Sequence, residues 1–426
     1  MISARNPALA IGTERQPGSS AALAEKLLNF VLFITVLLSP LAFIEPSPHD
    51  AMMFVLLVTC VMARVRFDRR FVPLLFLIVL WLVGGAMSVI QIDDDQKAVQ
   101  YFGTSVYLGL AAVLFACLFS DGNLVRLLIL RRAYVLTALI VTVGGYIGFF
   151  HLLPGADIFL DGVRVSATFK DPNVYGPFLI FPLLLLIIGL VTRGIRLVDL
   201  VVMVVLLGGL LLSFSRGAWV HFATSAVVCF AILLVAPPEP RMRARIAMLG
   251  LAAAVVIALL VVGLLSIGSV HDLFLERAKA IQPYDVGPGG RFTEQQQALT
   301  VILDNPNGLG PFGFANTYGL QQHNVYMQGF LVYGWLGGVT YLTLIMVTLM
   351  IGLRAAIVRS PWQYYLVAAY AVFVGEVGEG AIIDTDDWRH FFLMLGLIWG
   401  LAVATQKAAW PAGQGQPFRQ GLEQPT

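Results

Sequence analysis

Long apolar runs, separated by short polar segments, recur along the whole chain. A membrane-spanning helix needs about 20 mostly apolar residues, and we find about twelve runs of that order. They lie at roughly residues 26–44, 50–64, 71–91, 98–119, 131–152, 172–192, 197–213, 217–236, 246–268, 323–353, 362–380 and 389–405. The pattern predicts an all-α, polytopic integral membrane protein with about twelve transmembrane helices.

Composition supports this prediction and excludes one class of partner. Hydrophobic residues make up 58% of the 426 residues and charged residues only 12%, against about 25% charged residues in an average soluble domain. The formal net charge of +2 gives no basis for electrostatic capture of nucleic acid. We therefore expect the bilayer, with its lipids, to be the main environment of the chain.

The basic residues indicate an orientation. Connecting segments on the cytoplasmic side are enriched in Lys and Arg, and alternate connections here are basic. With both termini, they hold most of the 27 Lys and Arg residues. This asymmetry predicts a multi-pass protein of the bacterial inner membrane with both termini in the cytoplasm. The basic connections contain Arg64, Arg66, Arg69, Arg70, Arg126, Arg131, Arg132, Arg193, Arg196, Arg241, Arg243, Arg245, Arg354 and Arg359.

The domain organisation follows from the same pattern. Residues 1–24 and 407–426 are polar or low in complexity and are predicted to be disordered cytoplasmic segments. Residues 25–406 form the predicted transmembrane domain. Two outer loops are longer than the rest, at about 153–171 and 269–322, and the second is predicted to be a periplasmic subdomain.

The large outer loop contains a predicted helix. It opens with an apolar-faced stretch, residues 270–281, and continues through a glycine-rich turn. Thr293 and Gln296 then have the spacing of a capping box. The helix should continue through Leu303 and end before Asn305-Pro306, since the residue before a proline disfavours the helical conformation.

Arg216 is the first candidate for chemistry. It lies in residues 212–218, between two apolar runs, at the predicted outer boundary of the membrane. An arginine at that depth usually has a partner. Snorkelling toward lipid phosphates and gripping a bound phosphate with the planar guanidinium are both compatible with its position. Ser215 lies beside it and is a candidate substrate-binding residue.

Two further candidates lie on the same predicted face. Arg291 follows Gly289-Gly290 at a helix start, where backbone N–H groups can form an anion pocket; a solvated loop arginine is the alternative. His323 opens a long span, and its ordinary pKa near 6.5 suits a general base. A hydrogen-bonded interfacial histidine is the alternative for His323, and its neighbour Asn324 is a candidate substrate-binding residue.

The remaining outer segments add polar groups. Arg164 and Lys170 precede Asp171-Pro172-Asn173, which is typical of a helix cap followed by the first helical turn; we count Arg164, Lys170 and Asn173 as candidate substrate-binding residues. In the last outer loop Asp386 is a further candidate, either for orienting a sugar hydroxyl or for pairing with an arginine; a solvated loop carboxylate is the alternative. Its spacing from Asp384 makes a DxD pattern, which is weak evidence for a metal.

One glycine motif is better explained as a turn. Residues 308–313 match GxGxxG, the pattern of dinucleotide-binding loops. Such loops follow a strand and open a helix, whereas this one lies on the predicted outer face, without a preceding strand, and contains Pro311. We therefore predict a turn that returns the loop to the membrane.

Taken together, these segments resemble the O-antigen ligase and O-antigen polymerase (Wzy-like) superfamily of bacterial glycan assembly. The likeness covers roughly residues 160–345 and depends on the order and spacing of its pieces. They are Thr168–Asn173, Ser215–Ala218, Gly290-Arg291, Asn305–Gly310, His323–Tyr326 and Gly334–Gly338.

The resemblance implies a metal-independent glycosyltransferase of the GT-C type that uses no cofactor. Its donor would be a glycan on undecaprenyl pyrophosphate, and its acceptor a second lipid-linked glycan or the lipid A core. By matching motif, Arg216 and Arg291 would bind the pyrophosphate and His323 would act as a base or orienting group. A chain-length regulator is a further candidate partner.

Two rival functions stay open at this stage. A transporter, or a flippase for lipid-linked glycans, would also have about twelve spans, but transporters place their sites near the bilayer midplane. A structural scaffold of a secretion complex would not need Arg216, Arg291 and His323 to meet. Convergence of the segments that carry these residues therefore favours the enzyme.

Overall fold

A computed structural model describes residues 19–42, 47–92, 95–237, 242–266 and 290–408, and helices dominate these ranges. In chain order they are α1 Ser19–Leu37, α2 Pro48–Met62, α3 Val72–Val89, α4 Gln96–Phe119, α5 Leu124–Phe149, α6 Pro172–Phe178, α7 Ile180–Arg193, α8 Leu197–Leu212, α9 Arg216–Val235, α10 Met242–Leu265, α11 Arg291–Asp304, α12 Gly313–Tyr318, α13 Val325–Ala356, α14 Gln363–Glu379 and α15 Arg389–Lys407.

Strand structure is minimal in the described ranges. Two-residue strands, β1 (Leu160–Asp161) and β2 (Arg164–Val165), form an antiparallel hairpin in the outer loop before α6. Short 3-10 turns lie at Arg69–Phe71 and Ala156–Phe159. The predicted all-α class is confirmed.

Each predicted span overlaps one of these helices, but fewer are long enough to cross a bilayer by themselves. Among the described residues, seven helical segments have the length and apolar composition of a span, and α2 and α8 are shorter apolar helices. The chain is thus an all-α membrane protein with several spans. The number twelve and the GT-C architecture stay predictions.

The bounds of the first helix differ from the prediction. Residues 26–44 were the expected span, whereas α1 begins at Ser19 and ends at Leu37, where a turn follows. Residues 1–18 and 409–426, most of the two predicted disordered termini, lie outside the described residues. So does the apolar-faced stretch 270–281 of the large loop.

The centre of the bundle is α7. Its sequence is apolar around its whole circumference, as expected for a helix enclosed by others. In the window Pro172–Arg193, which combines α6 and α7, 94% of the residues are buried. Helices α5, α8, α9, α10 and α14 pack around α7.

Two helix starts test the sequence-based predictions of capping. Asp171 caps α6 as predicted: its carboxylate accepts a hydrogen bond from the N–H of Asn173 at 2.7 Å, and Pro172 opens the helix. The predicted capping box at Thr293 is wrong, because α11 begins two residues earlier with Gly290 as its N-cap. The end of α11 at Asp304, before Asn305-Pro306, is confirmed.

A break in α13 connects the membrane bundle to the large outer loop. Gly334 has φ +65° and ψ −174°, so the helix is interrupted there. In an unbroken helix the N–H of Trp335 would bond to the carbonyl of Leu331. Here Trp335 donates to the carbonyl of Pro306 at 2.8 Å, and the N–H of Leu309 donates to Leu331 at 2.7 Å. The loop thereby replaces the missing helical bond.

The glycines of the GxGxxG motif permit this close approach. Gly308 has φ +77°, and a Cβ there would lie 2.7 Å from the backbone nitrogen of Gly334. The segment follows the end of α11, which is a helix, so no strand precedes it. This segment is a turn that packs on α13, and its return toward the membrane stays a prediction.

Candidate functional site

Several helix ends meet at one end of the bundle. The helices α9 and α13 begin there and α14 ends there, and polar residues fill the junction. Short polar side chains cap both starts: Ser215 precedes α9 and Asn324 precedes α13. Backbone N–H groups at helix starts carry partial positive charge, so the starts of α9 and α13 are suited to an anionic ligand, whereas the end of α14 carries partial negative charge.

Arg216 is the first residue of α9. The hydroxyl of Ser215 accepts a hydrogen bond from the N–H of Ala218 at 3.2 Å, which fixes the helix start. Phe214, just before it, has φ +46°, so the chain turns sharply into the helix. Arg216 is partly exposed, while Ser215 is buried. Ser215 therefore acts on the backbone here, through the cap.

Arg164 and Asn173 lie next to this turn. The guanidinium of Arg164 donates to the carbonyl of Ser213 at 3.1 Å and to the amide oxygen of Asn173 at 2.8 Å. The structure therefore joins these two predicted site residues to the segment that leads into Arg216. Lys170 is exposed and lines a separate cavity of about 540 Å³ between α1, α4, α6 and α15.

Asn324 anchors the start of α13. Its side-chain oxygen accepts from the N–H groups of Tyr326 and Met327 at 3.0 and 3.1 Å. Its amide donates to the carbonyl of Ala381 at 3.0 Å, and its backbone N–H donates to Asp384 at 3.0 Å. Through these hydrogen bonds, Asn324 fixes the start of α13 relative to the loop that follows α14.

His323 lies immediately before this cap. It is partly buried and has φ +42°, an unusual backbone conformation for a residue with a side chain. Strained backbone of this kind is found most often at functional sites. The bonds of Asn324 on one side of the peptide fix the position from which the imidazole projects.

The last turn of α14 lies between the segments of Arg216 and His323. The carboxylate of Glu379 lies against Gly217, where an added Cβ would be 2.5 Å from its Oε1. The next residue, Gly380, accepts a hydrogen bond from the N–H of Val325 at 2.8 Å. One turn of helix thus contacts the residue after Arg216 and a residue two positions beyond His323.

Helix α11 reaches the same turn. The amide of Gln295 is 3.5 Å from the carbonyl oxygens of both His323 and Ala381. Arg291 lies one helical turn earlier, at the start of α11, although its side chain lies outside the part that is described. The structure therefore brings together the segments that carry Arg216, Arg291 and His323.

The sequence reasoning missed a buried ion pair beneath this junction. His221 and Glu379 have side chains 0% and 2% exposed, and Nδ1 of His221 is 2.8 Å from Oε2 of Glu379. The other ring nitrogen, Nε2, is 3.0 Å from the carbonyl oxygen of Val372. Ionisable residues within apolar helices are energetically costly and usually functional. His221 and Glu379 could therefore have been selected from the sequence as candidate site residues.

A second histidine–glutamate pair joins α14 to α15. Glu376, three residues before Glu379 on α14, faces His390 of α15, with Oε1 of Glu376 3.7 Å from Nε2 of His390, which is too long for a hydrogen bond. Both carboxylate oxygens of Glu376 and the Nε2 of His390 have no hydrogen-bond partner among the described residues. Glu376 is fully buried.

Asp386 lies deeper than the sequence suggested. It is 3% exposed, and its carboxylate accepts from the hydroxyl of Tyr101 at 2.7 Å. Burial, followed by the nearby carboxylate of Asp384, raises the pKa of Asp386 to about 7. The hydroxyl of Tyr101 also accepts from Gln328 at 3.2 Å, which links Asp386 to α13.

The two aspartates of the DxD pattern have different partners. Asp384 accepts hydrogen bonds from the backbone of Asn324 and, at 3.3 Å, from Gln322, whereas Asp386 bonds to Tyr101. Among the described residues, no group of three or more His, Cys, Asp or Glu side chains could hold a metal ion. The pattern is thus explained by contacts within the protein.

Comparison with known families agrees with this arrangement. Residues 201–342 match the family model described as O-antigen ligase. This segment is therefore similar to the O-antigen ligase domain. The resemblance recognised in the sequence is thereby confirmed over about a third of the chain, from α8 into α13. No curated protein matches the chain.

The ligase domain contains all three predicted catalytic residues, Arg216, Arg291 and His323. It supports a membrane-integral, glycosyltransferase-like enzyme with a role in the ligation or polymerisation of polysaccharide. A lipid-linked glycan and an acceptor are the general substrates that this family implies. Glu379 and Asp386 lie outside the matched segment, on helix α14 and in the loop that follows it.

Proposed function

We propose that this protein transfers a glycan from undecaprenyl pyrophosphate to an acceptor hydroxyl at the outer face of the bacterial inner membrane. The observation that carries the proposal is the meeting of three segments at the end of α14. These segments hold Arg216, Arg291 and His323, and all three lie within the ligase domain. A scaffold protein would have no need of this convergence.

The transfer reaction requires positive charge beside the pyrophosphate leaving group. The acceptor oxygen forms a bond to the anomeric carbon while the bond from that carbon to the pyrophosphate oxygen breaks. The bonding electron pair leaves with the pyrophosphate, whose negative charge grows. Arg216 and Arg291, each at a helix start, would stabilise this charge, and fixed donors of this kind contribute about 10²–10³-fold in rate.

The acceptor proton needs a recipient. His323 would take it, either directly or after orienting the hydroxyl, which contributes about 10²–10⁴-fold. A single displacement of this kind inverts the anomeric carbon. Breaking the bond between the anomeric carbon and the pyrophosphate oxygen supplies the driving force, and the arginines neutralise the leaving group, so this scheme needs neither a nucleotide nor a metal.

The acceptor distinguishes a ligase from a polymerase. A ligase would use the lipid A core, and a polymerase would use a second lipid-linked glycan, with a chain-length regulator as a candidate partner. Arg164 and Asn173, next to the Arg216 turn, and the exposed Lys170, which lines the separate cavity, are candidates for contacts to the sugars. Both termini would lie in the cytoplasm, and the junction would then lie on the periplasmic side.

The proposal is tested by replacing Arg216, Arg291 and His323 singly with alanine in cells. We expect at least a hundredfold loss of surface polysaccharide and accumulation of lipid-linked glycan on the periplasmic leaflet. Arg354→Ala is the matched control, because Arg354 is an exposed arginine in the last turn of α13, at the opposite end from His323. It should leave the polysaccharide unchanged.

Two results would contradict the proposal. Normal amount and length of surface polysaccharide in all three variants, at normal protein level, would remove the enzyme assignment. Accumulation of the lipid-linked glycan on the cytoplasmic leaflet, measured by its accessibility to a lectin, would instead indicate a flippase.

A further inference from the structure

Helices α9 and α14 interlock through two reciprocal glycine contacts. On α9, Gly217 precedes His221 by four residues, and on α14, Gly375 precedes Glu379 by four. Gly217 lies against the carboxylate of Glu379, and a Cβ at Gly375 would overlap the imidazole of His221. Residues four apart share one helix face, so each helix presents one glycine and one ionisable side chain to the other.

The hydrogen bonds of His221 determine where its protons lie. The carbonyl of Val372 can only accept, so Nε2 of His221 must carry a proton. The 2.8 Å contact between Nδ1 and Glu379 must then also contain one proton, on either the ring or the carboxyl group. In both cases the pair has no net charge.

This neutral pair lies at the junction described above. Glu379 touches the residue that follows Arg216, and its neighbours Gly380 and Ala381 accept the bonds from Val325 and Asn324. An isolated buried carboxylate here would repel an anionic ligand. Sharing a proton with His221 removes that repulsion and keeps a directional hydrogen bond that fixes the side chain.

We propose that Glu379 and His221 are positioning residues that hold the start of α9, and with it Arg216, in register with the start of α13 for transfer. The proposal rests on the proposed function. It assigns roles to residues of which one, Glu379, lies beyond the ligase-domain match. The pair does not contact the substrate. It should affect the rate of transfer only by fixing the position of Arg216.

The first experiment separates positioning from simple stabilisation. The full-length protein in nanodiscs is assayed for glycan transfer and for binding of undecaprenyl pyrophosphate. Glu379→Ala should lower kcat about 10- to 100-fold, since small displacements of catalytic groups have effects of this size. Glu379→Gln should stay within about threefold of wild type, because its amide can donate to Nδ1 of neutral His221.

A matched control lies on the same two helices. Gln363, fully buried at the start of α14, donates to the carbonyl of Ala236 after the end of α9 at 3.1 Å. Gln363→Leu removes this link at the opposite end of the helix pair. It should lower thermal stability and leave kcat unchanged. If it lowers kcat as much as Glu379→Ala, the pair merely holds helices together and the proposal is wrong.

The second experiment measures coupling to Arg216. In an Arg216→Lys background, Glu379→Ala should lower kcat by at most about threefold, because the guanidinium that Glu379 positions is already absent. Equal costs in both backgrounds would overturn the proposal, as would a Glu379→Gln variant as impaired as the alanine variant. Glu379→Asp, which withdraws the carboxylate by one methylene, should also be slow, and it replaces the alanine variant if that variant does not fold.

Failure of the proposed function is distinguishable from failure of this inference. If Arg216→Lys by itself transfers glycan at the wild-type rate, the function proposed for Arg216 is wrong. If Arg216→Lys is impaired while Glu379→Ala is not, the function stands and the positioning role is lost.

Discussion

Two glutamates three residues apart on α14 are paired with histidines of different helices, Glu379 with His221 of α9 and Glu376 with His390 of α15, and the two pairs differ in their hydrogen bonds. In the first, His221 and Glu379 are hydrogen-bonded at 2.8 Å, and the second ring nitrogen of His221 has its own acceptor. In the second, His390 and Glu376 are 3.7 Å apart, and their facing polar atoms have no hydrogen-bond partner among the described residues. Both pairs are buried.

The difference shows that burial alone does not define a role. A buried pair with complete hydrogen bonds fixes one geometry, whereas buried polar atoms without partners cost stability. We infer that the first pair determines the position of the helix starts. The second pair lowers the stability of the folded protein. Substituting each glutamate separately distinguishes these two effects.

The largest expected difference comes from replacing each glutamate by leucine. Glu379→Leu leaves Nδ1 of His221 buried without a partner and should destabilise the protein by about 3–5 kcal/mol. Glu376→Leu removes a carboxyl group that has no hydrogen bond to any residue in the described ranges, and it should be neutral or stabilising. Thermal denaturation in one detergent measures both. Equal destabilisation by the two variants would remove the distinction between the pairs.

A third buried carboxyl group, Asp386, extends the comparison to the loop after α14. Because burial raises its pKa from 3.8 to about 7, protonation favours the folded state. Its contribution to stability is complete below pH 3.8 and is lost as the pH rises through 7. We expect the wild type to lose of the order of 2–4 kcal/mol over this range.

The variant Asp386→Asn tests this pH dependence. Asparagine cannot ionise, so unfolding midpoints measured from pH 4 to pH 8 should vary less in the variant than in the wild type. The same slope in both proteins would mean that Asp386 is not the titrating group.

Two glycines on α14 give a smaller effect with an internal control. A methyl group at Gly375 would overlap His221, whereas one at Gly378 would meet nothing within 4 Å. Gly375→Ala should destabilise by about 1–3 kcal/mol, and Gly378→Ala should be neutral or stabilise by up to about 1 kcal/mol through helix propensity. If both variants gain stability, α9 and α14 do not cross as closely as described.

The smallest effect concerns the cap of α9. Ser215→Ala removes the hydroxyl that accepts the N–H of Ala218 and should cost about 1 kcal/mol. Ser215→Thr keeps the capping hydroxyl without adding a charge at this buried position and should retain more of the stability. Chemical denaturation resolves differences of this size, and a cost in the threonine variant equal to that in the alanine variant would argue against the cap.

The sequence predicts the helices well because the bilayer demands long apolar runs. The twelve predicted runs all overlap helices. The Asp171 cap was predicted from the sequence Asp171-Pro172-Asn173, in which a capping residue precedes a proline at the first helical position. The start of α11 was not, because Thr293 and Gln296 have the right spacing but Gly290 takes the cap position. Spacing along the chain does not determine which of two nearby residues begins a helix.

The candidate site was predicted in part. Arg216 and His323 could be chosen because polar residues at the ends of apolar runs are few. His221 and Glu379 were missed because their partnership depends on how α9 crosses α14, and that crossing depends on tertiary packing. Its traces in the sequence are two ionisable residues within apolar helices and the four-residue glycine spacings, Gly217 to His221 and Gly375 to Glu379.

The break at Gly334 has a consequence for how the protein is made. Within a bilayer, backbone groups without partners are strongly unfavourable, and α13 leaves the N–H of Trp335 and the carbonyl of Leu331 to be satisfied by Pro306 and Leu309. During biosynthesis α13 therefore reaches its final form only after the preceding loop has docked on it. The final form of this helix is thus coupled to the docking of the segment that precedes it.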